Sequence, residues 1–227
     1  MVAVGRPAAV RSSARRARGG ELPVHFSAAS VWEAEIKAAQ GKLVVPHEVM
    51  TTLRSAPPPP PPRDGDHVRG DPTGTLVLFY ADFTCPRCAL AHARLTEAGA
   101  RTVFRHLALR AKHERAVPVA LAAEAAAAQG AFWELCDSLY ADQGRLDDPH
   151  LWQRARALGL DLERFDADRR SERVAERVQG DVRDALAAGA TTTPTLFADG
   201  IAHAGVPDRR LLGGLGYDGA VRIPKTS

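Results

Sequence analysis

The stretch "TLVLFYADFTCPRCALAHARLTEAG", residues 75–99, carries the reading of the fold. Its first nine residues, Thr75 to Phe83, are apolar and rich in strand formers, which predicts a buried strand. The run ends at two cysteines three positions apart. Pro86 suits the first turn of a helix, where its missing N–H costs nothing, and the helix predicted from there stops at Gly99. Cys85 therefore falls just before a helix, where unpaired amides and the positive end of the dipole favour an anion.

That placement gives the two thiols different work. The thiolate, not the thiol, attacks a disulfide, so Cys85 is the expected nucleophile. Cys88 lies one turn further in, is expected to be buried, and would resolve a mixed disulfide. Pro86 fixes the backbone between them, and Arg87 adds a positive charge close to Cys85. A metal reading uses the same residues: Cys85, Cys88 and His92 form C-x-x-C-x-x-x-H, and Cys136 could complete four zinc ligands. No second close pair of ligands follows in the sequence, and a C-x-x-C beside a strand–helix unit favours redox chemistry, so no metal is expected. Cys136, within "FWELCDSLY" (132–140), reads as a small buried apolar residue outside the mechanism.

Further along, "RTVFRHLAL" (101–109) reads as a second strand and completes a strand–helix–strand unit. "VPVALAAEAAAAQGAFWELCDSLYADQ" (117–143) is alanine-rich with helical spacing, Gly130 being a weak point or a junction. "DDPHLWQRARALGL" (147–160) and "DLERFDADRRSERVAERVQGDVRDALAAG" (161–189) each open with aspartate and close on glycine, giving three or four helices in succession. "TTTPTLFADGIAHAG" (191–205) predicts strands at Thr195 to Ala198 and Ile201 to Ala204 around a turn at Asp199 and Gly200. The final "PDRRLLGGL" (207–215) fits one short helix. The order is that of an α/β fold with a helical lobe inserted at about 112–189.

Six consecutive prolines, Pro57 to Pro62, followed by "RDGDHVRGDPTG", read as a linker at 57–74. Polyproline of that length spans roughly 19 Å and is excluded from a packed helix. Residues 1–56 are then an N-terminal extension and 75–227 the main domain. Residues 1–70 hold 10 Lys/Arg against 6 Asp/Glu, while 71–227 hold 20 against 21, so the basic excess sits ahead of the domain. Its arginines, as in "RSSARRARGG" (11–20), lack interleaved aromatics, and no nucleic-acid partner is expected. No apolar run resembles a signal peptide or approaches the roughly 18 residues of a membrane span, which makes the cytoplasm the expected compartment.

Thr193-Pro194 is the second informative spot. A proline at the start of a strand cannot donate to the ladder, and a cis bond there would set the preceding backbone beside another loop.

Taken in order, "LVLFYADFTCPRCALAHARL", "VFRHLAL", "AAEAAAAQGAFWELCDSLYADQ", "LGLDLERFDAD" and "TTTPTLFADGIAHAG" resemble the DsbA-like branch of the thioredoxin superfamily over residues 75 to about 212. The resemblance implies a thioredoxin fold with an inserted α-helical domain and thiol–disulfide exchange without an organic cofactor. By position it makes Cys85 the nucleophile, Cys88 the resolving thiol, Pro194 the cis-proline facing them, and Thr193 the residue whose backbone pairs with a bound peptide. Asp82 also matches a family position, either as a local cap or as an aid to proton transfer. The implied partners are a disulfide- or thiol-bearing protein substrate and a second redox protein that recharges the pair. The direction of electron flow stays open, because family potentials run from about −270 to about −120 mV.

A second, shorter resemblance lies upstream. "FSAASVWEAEIKAAQGKLVVP" (26–46) is similar to the central helix region of PIN-domain toxin nucleases, in which Glu33 would join a cluster of magnesium-binding carboxylates. The other carboxylates are missing here, so a remnant without nuclease activity is expected. Two functional readings follow for the whole chain: a dithiol oxidoreductase, or a thioredoxin-like module that binds a partner without catalysis.

Overall fold

The computed structural model describes residues 60–217, so the 26–46 stretch with Glu33 lies outside the described residues. Five strands form one sheet in the order β1-β3-β2-β4-β5, where β1 is His67–Arg69, β2 Val77–Ala81, β3 Thr102–His106, β4 Thr195–Ala198 and β5 Ile201–Ala204. Strands β2 and β3 run parallel, joined by helix α1 (Pro86–Glu97), while β4 and β5 form an antiparallel hairpin beside β2. Five helices then fill the chain between β3 and β4: α2 (Ala116–Ala127), α3 (Phe132–Ala141), α4 (Asp148–Ala157), α5 (Leu162–Arg169) and α6 (Glu172–Ala187). A short α7 (Arg209–Gly214) follows the hairpin. This is a thioredoxin fold with an inserted helical lobe.

The unbroken apolar run of β2 follows from its position. Val77, Phe79 and Ala81 point into a core shared with α1, α2 and α3, whereas Leu78 and Tyr80 pack on the other side against Ala185 and Ala188 at the end of α6. Both faces of the strand are covered, so alternation has no reason to appear. Phe83, just past the strand, stacks on Phe104 of β3 with centroids 5.2 Å apart.

Two differences from the sequence reading are physical. The stretch expected as one helix from 161 is broken at Arg170 and Ser171, where the Ser171 hydroxyl accepts the Val174 amide and starts α6 anew. The stretch expected as linker contributes β1, which pairs antiparallel with β3 and forms the sheet edge. Gly70, just after it, has φ +96 and passes so close to Ala100 that a Cβ would lie 2.0 Å from the Ala100 carbonyl oxygen. Three partly polar residues between glycines and aspartates carry no strand signal, because an edge strand needs no apolar face. No helix among the described residues is long and apolar enough to cross a membrane.

Charge joins this segment to the domain. Arg105 of β3 is fully buried; it donates from Nε and Nη2 to Asp66 at 3.0 and 2.8 Å and to the Pro61 carbonyl at 2.7 Å. Burial pushes the Asp66 carboxyl up, but the Arg105 and Arg63 hydrogen bonds outweigh it and hold the carboxyl below its ordinary value. Asp66→Ala would leave a buried guanidinium unpaired, with an expected cost of about 3–5 kcal/mol in urea unfolding. Because the folded carboxyl is the more acidic, the pair's contribution is full above the unfolded pKa of about 3.9 and is lost as pH falls through the folded value.

Candidate active site

Strand β2 ends at Ala81, and after three intervening residues the chain enters α1 with Cys85 as its N-cap. Cys85 has extended φ and ψ of −92 and 116, no side chain caps the helix, and Pro86 occupies the first turn. The Cys85 sulfur therefore sits at the positive end of α1, close to the first-turn amides, with no other side chain competing for the place. Cys88 is fully buried, while Cys85 is partly exposed, and all three cysteines of the chain are free.

The environment separates the two thiols sharply. A hydrogen bond from the Cys88 thiol is the largest influence on Cys85; burial opposes it, and the Thr193 side chain and the amides of Cys88 and Arg87 add to it. Together they hold Cys85 down to about 5. Burial, with the neighbouring Cys85, pushes Cys88 far above the ordinary thiol range. The Asp82 amide donates to Cys88 Sγ at 3.5 Å.

Thr193-Pro194 is a cis peptide bond, and it lies across from the cysteines. In its protonated form the Cys85 thiol donates to the Thr193 carbonyl at 3.6 Å. The Pro194 carbonyl in turn accepts the Gly205 amide at 2.8 Å, which ties this turn to the end of β5. Arg87 is exposed and lays its guanidinium on Gly205, where a Cβ would come within 2.6 Å of Nη2. Gly205 has φ +101, a conformation that favours glycine, whereas the exposed Arg87 side chain could move aside. Asp82 is buried; its Oδ1 accepts both the amide and the hydroxyl of Thr84 at 2.8 Å. Burial raises its carboxyl, with the Thr84 donors partly opposing. The structure thus brings Cys85, Cys88, Asp82, Thr193 and Pro194 close together.

A family model described as thioredoxin matches residues 63–209. The chain belongs to the thioredoxin family. Among curated relatives, the Na(+)/H(+) antiporter NhaA 1 of Mycolicibacterium vanbaalenii is 43% identical over 151 residues, covering 63% of this chain and 24% of that protein. NhaA 3 of Salinispora tropica is 43% identical over 148 residues, 63% of this chain and 23% of that one. The chain spans about a quarter of the length of the curated relatives it matches. Among solved structures, a thioredoxin-like oxidoreductase from Silicibacter pomeroyi superposes with TM-score 0.62 at 24% identity, covering 68% of this chain and 91% of that one. BdbD from Bacillus subtilis gives 0.60 at 17%, covering 70% and 95%, and alpha-DsbA1 from Wolbachia pipientis 0.56 at 21%, covering 68% and 92%. At these identities the likeness is one of fold, and the fold is the DsbA-like form of this family.

The residues weighed for zinc are partly brought together. His92, Cys136 and Asp137 have ligand atoms within 4.8 Å of one another, a group that leaves out Cys85 and Cys88. A cation is already there in the form of Arg69, which donates to Asp137 at 2.8 and 3.1 Å and lies 3.1 Å from His92 Nε2. Its guanidinium also covers the Trp133 ring at 4.3 Å. The cluster therefore reads as an ion-paired joint between β1, α1 and α3. Cys136, fully buried, has its thiol raised well above the ordinary value by that burial.

One contact escaped the sequence reading. Gln143, in the loop after α3, donates from Nε2 to the carbonyls of Phe83 and Cys85 at 2.7 and 3.0 Å. A lone glutamine in "YADQGRLDD" (140–148) has no spacing or partner that would have marked it.

Iodoacetamide should alkylate Cys85 of the reduced protein with a pH midpoint of about 5. Cys88 and Cys136 should stay unmodified until the protein unfolds, which peptide mass spectrometry would check.

Proposed function

We propose that the chain is a thiol–disulfide oxidoreductase acting through Cys85-Pro86-Arg87-Cys88 on disulfide- or thiol-bearing protein substrates. The observation that carries this reading is the unequal thiol pair: an acidified, partly exposed Cys85 with a protonated, buried Cys88 one turn behind it. Zinc ligation would need both sulfurs in one ligand set, and a structural disulfide would need no acidified member.

In the reducing direction, the Cys85 thiolate attacks one sulfur of the substrate disulfide. A Cys85–substrate S–S bond forms, the substrate S–S bond breaks, and the departing sulfur leaves as a thiolate that takes a proton from solvent. Cys88 then gives up its proton and attacks Cys85 Sγ, expelling the second substrate sulfur. The substrate gains two electrons as a dithiol, and the chain holds the Cys85–Cys88 disulfide. Asp82 suits the proton step: its backbone amide already touches Cys88 Sγ, and burial raises its carboxyl towards the range of a usable base. In oxidation the same steps run backwards.

Thr193 and Pro194 form the docking edge for the substrate. The Thr193 carbonyl lies 3.6 Å from the attacking sulfur, which supports a role for this backbone in pairing with an extended peptide. Arg87 flanks that edge from the helix side. Electrons travel in sulfur–sulfur bonds, so the cycle needs no organic cofactor, only a second thiol or disulfide protein to recharge the pair. In the cytoplasm expected above, reducing poise would keep the pair as a dithiol and favour substrate reduction. The transport named for the curated relatives stays with those longer proteins.

A Cys88→Ser variant should accumulate covalent adducts with substrate proteins or with a model protein disulfide, seen as dithiothreitol-sensitive bands on non-reducing gels. Cys85→Ser should give none. If Cys88→Ser also forms no adduct, exchange chemistry fails and the binding-module reading takes its place.

A further inference from the structure

The helical lobe does more than cover one side of the sheet. It sends one side chain, Gln143, into the loop that presents the nucleophile. The two N–H bonds of a single amide are shared between the Phe83 and Cys85 carbonyls, at 2.7 and 3.0 Å, either side of Thr84. The Cys85 carbonyl already accepts the Cys88 and Ala89 amides at 3.0 and 3.3 Å, so Gln143 adds a further donor at the very start of α1.

The loop that carries Gln143 is itself held through its backbone. Arg154 of α4 donates from Nη2 to the Asp142 carbonyl at 2.9 Å and from Nη1 to the Arg145 carbonyl at 2.8 Å. Arg115, ahead of α2, donates from Nε and Nη2 to the Leu146 carbonyl at 3.1 and 2.8 Å. Two arginines thus grip residues on both sides of Gln143, with little freedom left for the loop to drift. A surface loop serving only as a connector between α3 and α4 has no need of such fixing.

We propose that Gln143 is a positioning residue through which the helical lobe fixes the Phe83–Cys85 turn, keeping Cys85 Sγ at the N-terminal end of α1. The proposal rests on the oxidoreductase reading for its purpose, but the geometry it claims is separate from any substrate. Gln143 donates to carbonyls and acts on the sulfur only through the backbone it holds. Its loss should therefore show in the ionisation of Cys85.

The test is the pH profile of Cys85 alkylation by iodoacetamide in the full chain, in which the thiolate displaces iodide and forms a C–S bond. Gln143→Ala should shift the midpoint upward; a one-unit shift slows the reaction about threefold near pH 5.5 and leaves it unchanged near pH 9, where both proteins are ionised. Gln143→Glu should shift it further, because an ionised carboxylate repels both carbonyls and the thiolate. Gln143→Lys keeps a donor and should hold the midpoint at or below that of the native chain. If Gln143→Ala does not fold, the raised midpoint of the Glu variant beside the unraised midpoint of the Lys variant, which keeps a donor, decides the matter. An unchanged midpoint in the folded variants, with only a lower melting temperature, overturns the proposal. Failure of Cys88→Ser to trap substrate, with the midpoints shifted as expected, would instead overturn the oxidoreductase reading and leave the positioning role standing.

Discussion

The site depends on one arrangement: a cysteine sulfur in the place where a helix would ordinarily have a side-chain cap. An α-helix leaves its first amides without intrahelical partners, and serine, threonine or aspartate usually satisfies them. At α1 no side chain does so; the Cys85 sulfur occupies the N-cap position, where the nearby amides of Arg87 and Cys88 help to lower its pKa. The positive end of the helix that favours the thiolate is thus left without a competing cap. Pro86 lowers the competition further, because it brings no N–H of its own to the first turn. Much of the surrounding structure serves to hold that helix end still, from the doubly covered strand before it to the cis-proline turn opposite.

The helical lobe is attached to this centre by charges as well as by apolar packing. Glu124 of α2 is buried and meets His67 of β1 and His106 of β3 at 2.7 and 2.8 Å through one carboxylate oxygen. Asp181 of α6 accepts the His106 amide at 3.0 Å and also pairs with Arg63. Such groups are costly to bury and tolerate few alternative partners, so they fix the register of lobe and sheet more than they add stability. The same physics explains why residues 63–69 belong with the domain: Asp66 and His67 are partners that the buried Arg105 and Glu124 cannot lose. Apolar burial alone would hold the lobe on the sheet, but it would not set Gln143 on two particular carbonyls.

What was legible in the sequence divides along this line. Strand β2, the start of α1 and the hairpin at Asp199 and Gly200 each rest on local signals: an apolar run, a proline in a first turn, a turn dipeptide. The roles proposed for the cysteines rest on one such signal, since a helix start beside Cys85 is enough to expect an acidified sulfur. The convergence of Thr193 and Pro194 with the cysteines came from the family resemblance, because no local pattern ties positions more than a hundred residues apart. Strand β1, the Ser171 break and Gln143 were not legible for three separate reasons. An edge strand of three residues shows no periodicity, a serine in a charged run is one of many possible caps, and a donor that serves two carbonyls leaves no mark on its neighbours.

The inequality of the two thiols also bears on the direction of electron flow. With Cys85 held to about 5, its thiolate is favoured roughly a hundredfold at neutral pH, which stabilises the dithiol state by at most about 2.7 kcal/mol. For a two-electron couple that corresponds to at most about 60 mV, and partial exposure of the sulfur to water reduces it. The sign is towards oxidation of substrates, because a stabilised reduced form makes the disulfide the better oxidant. Burial of the protonated Cys88 leaves this balance in place at neutral pH, since its proton is retained in the dithiol. If the pair exchanges disulfides as proposed, an acidified Cys85 favours disulfide donation, and a reducing compartment would have to act against that tendency for the chain to work as a reductant.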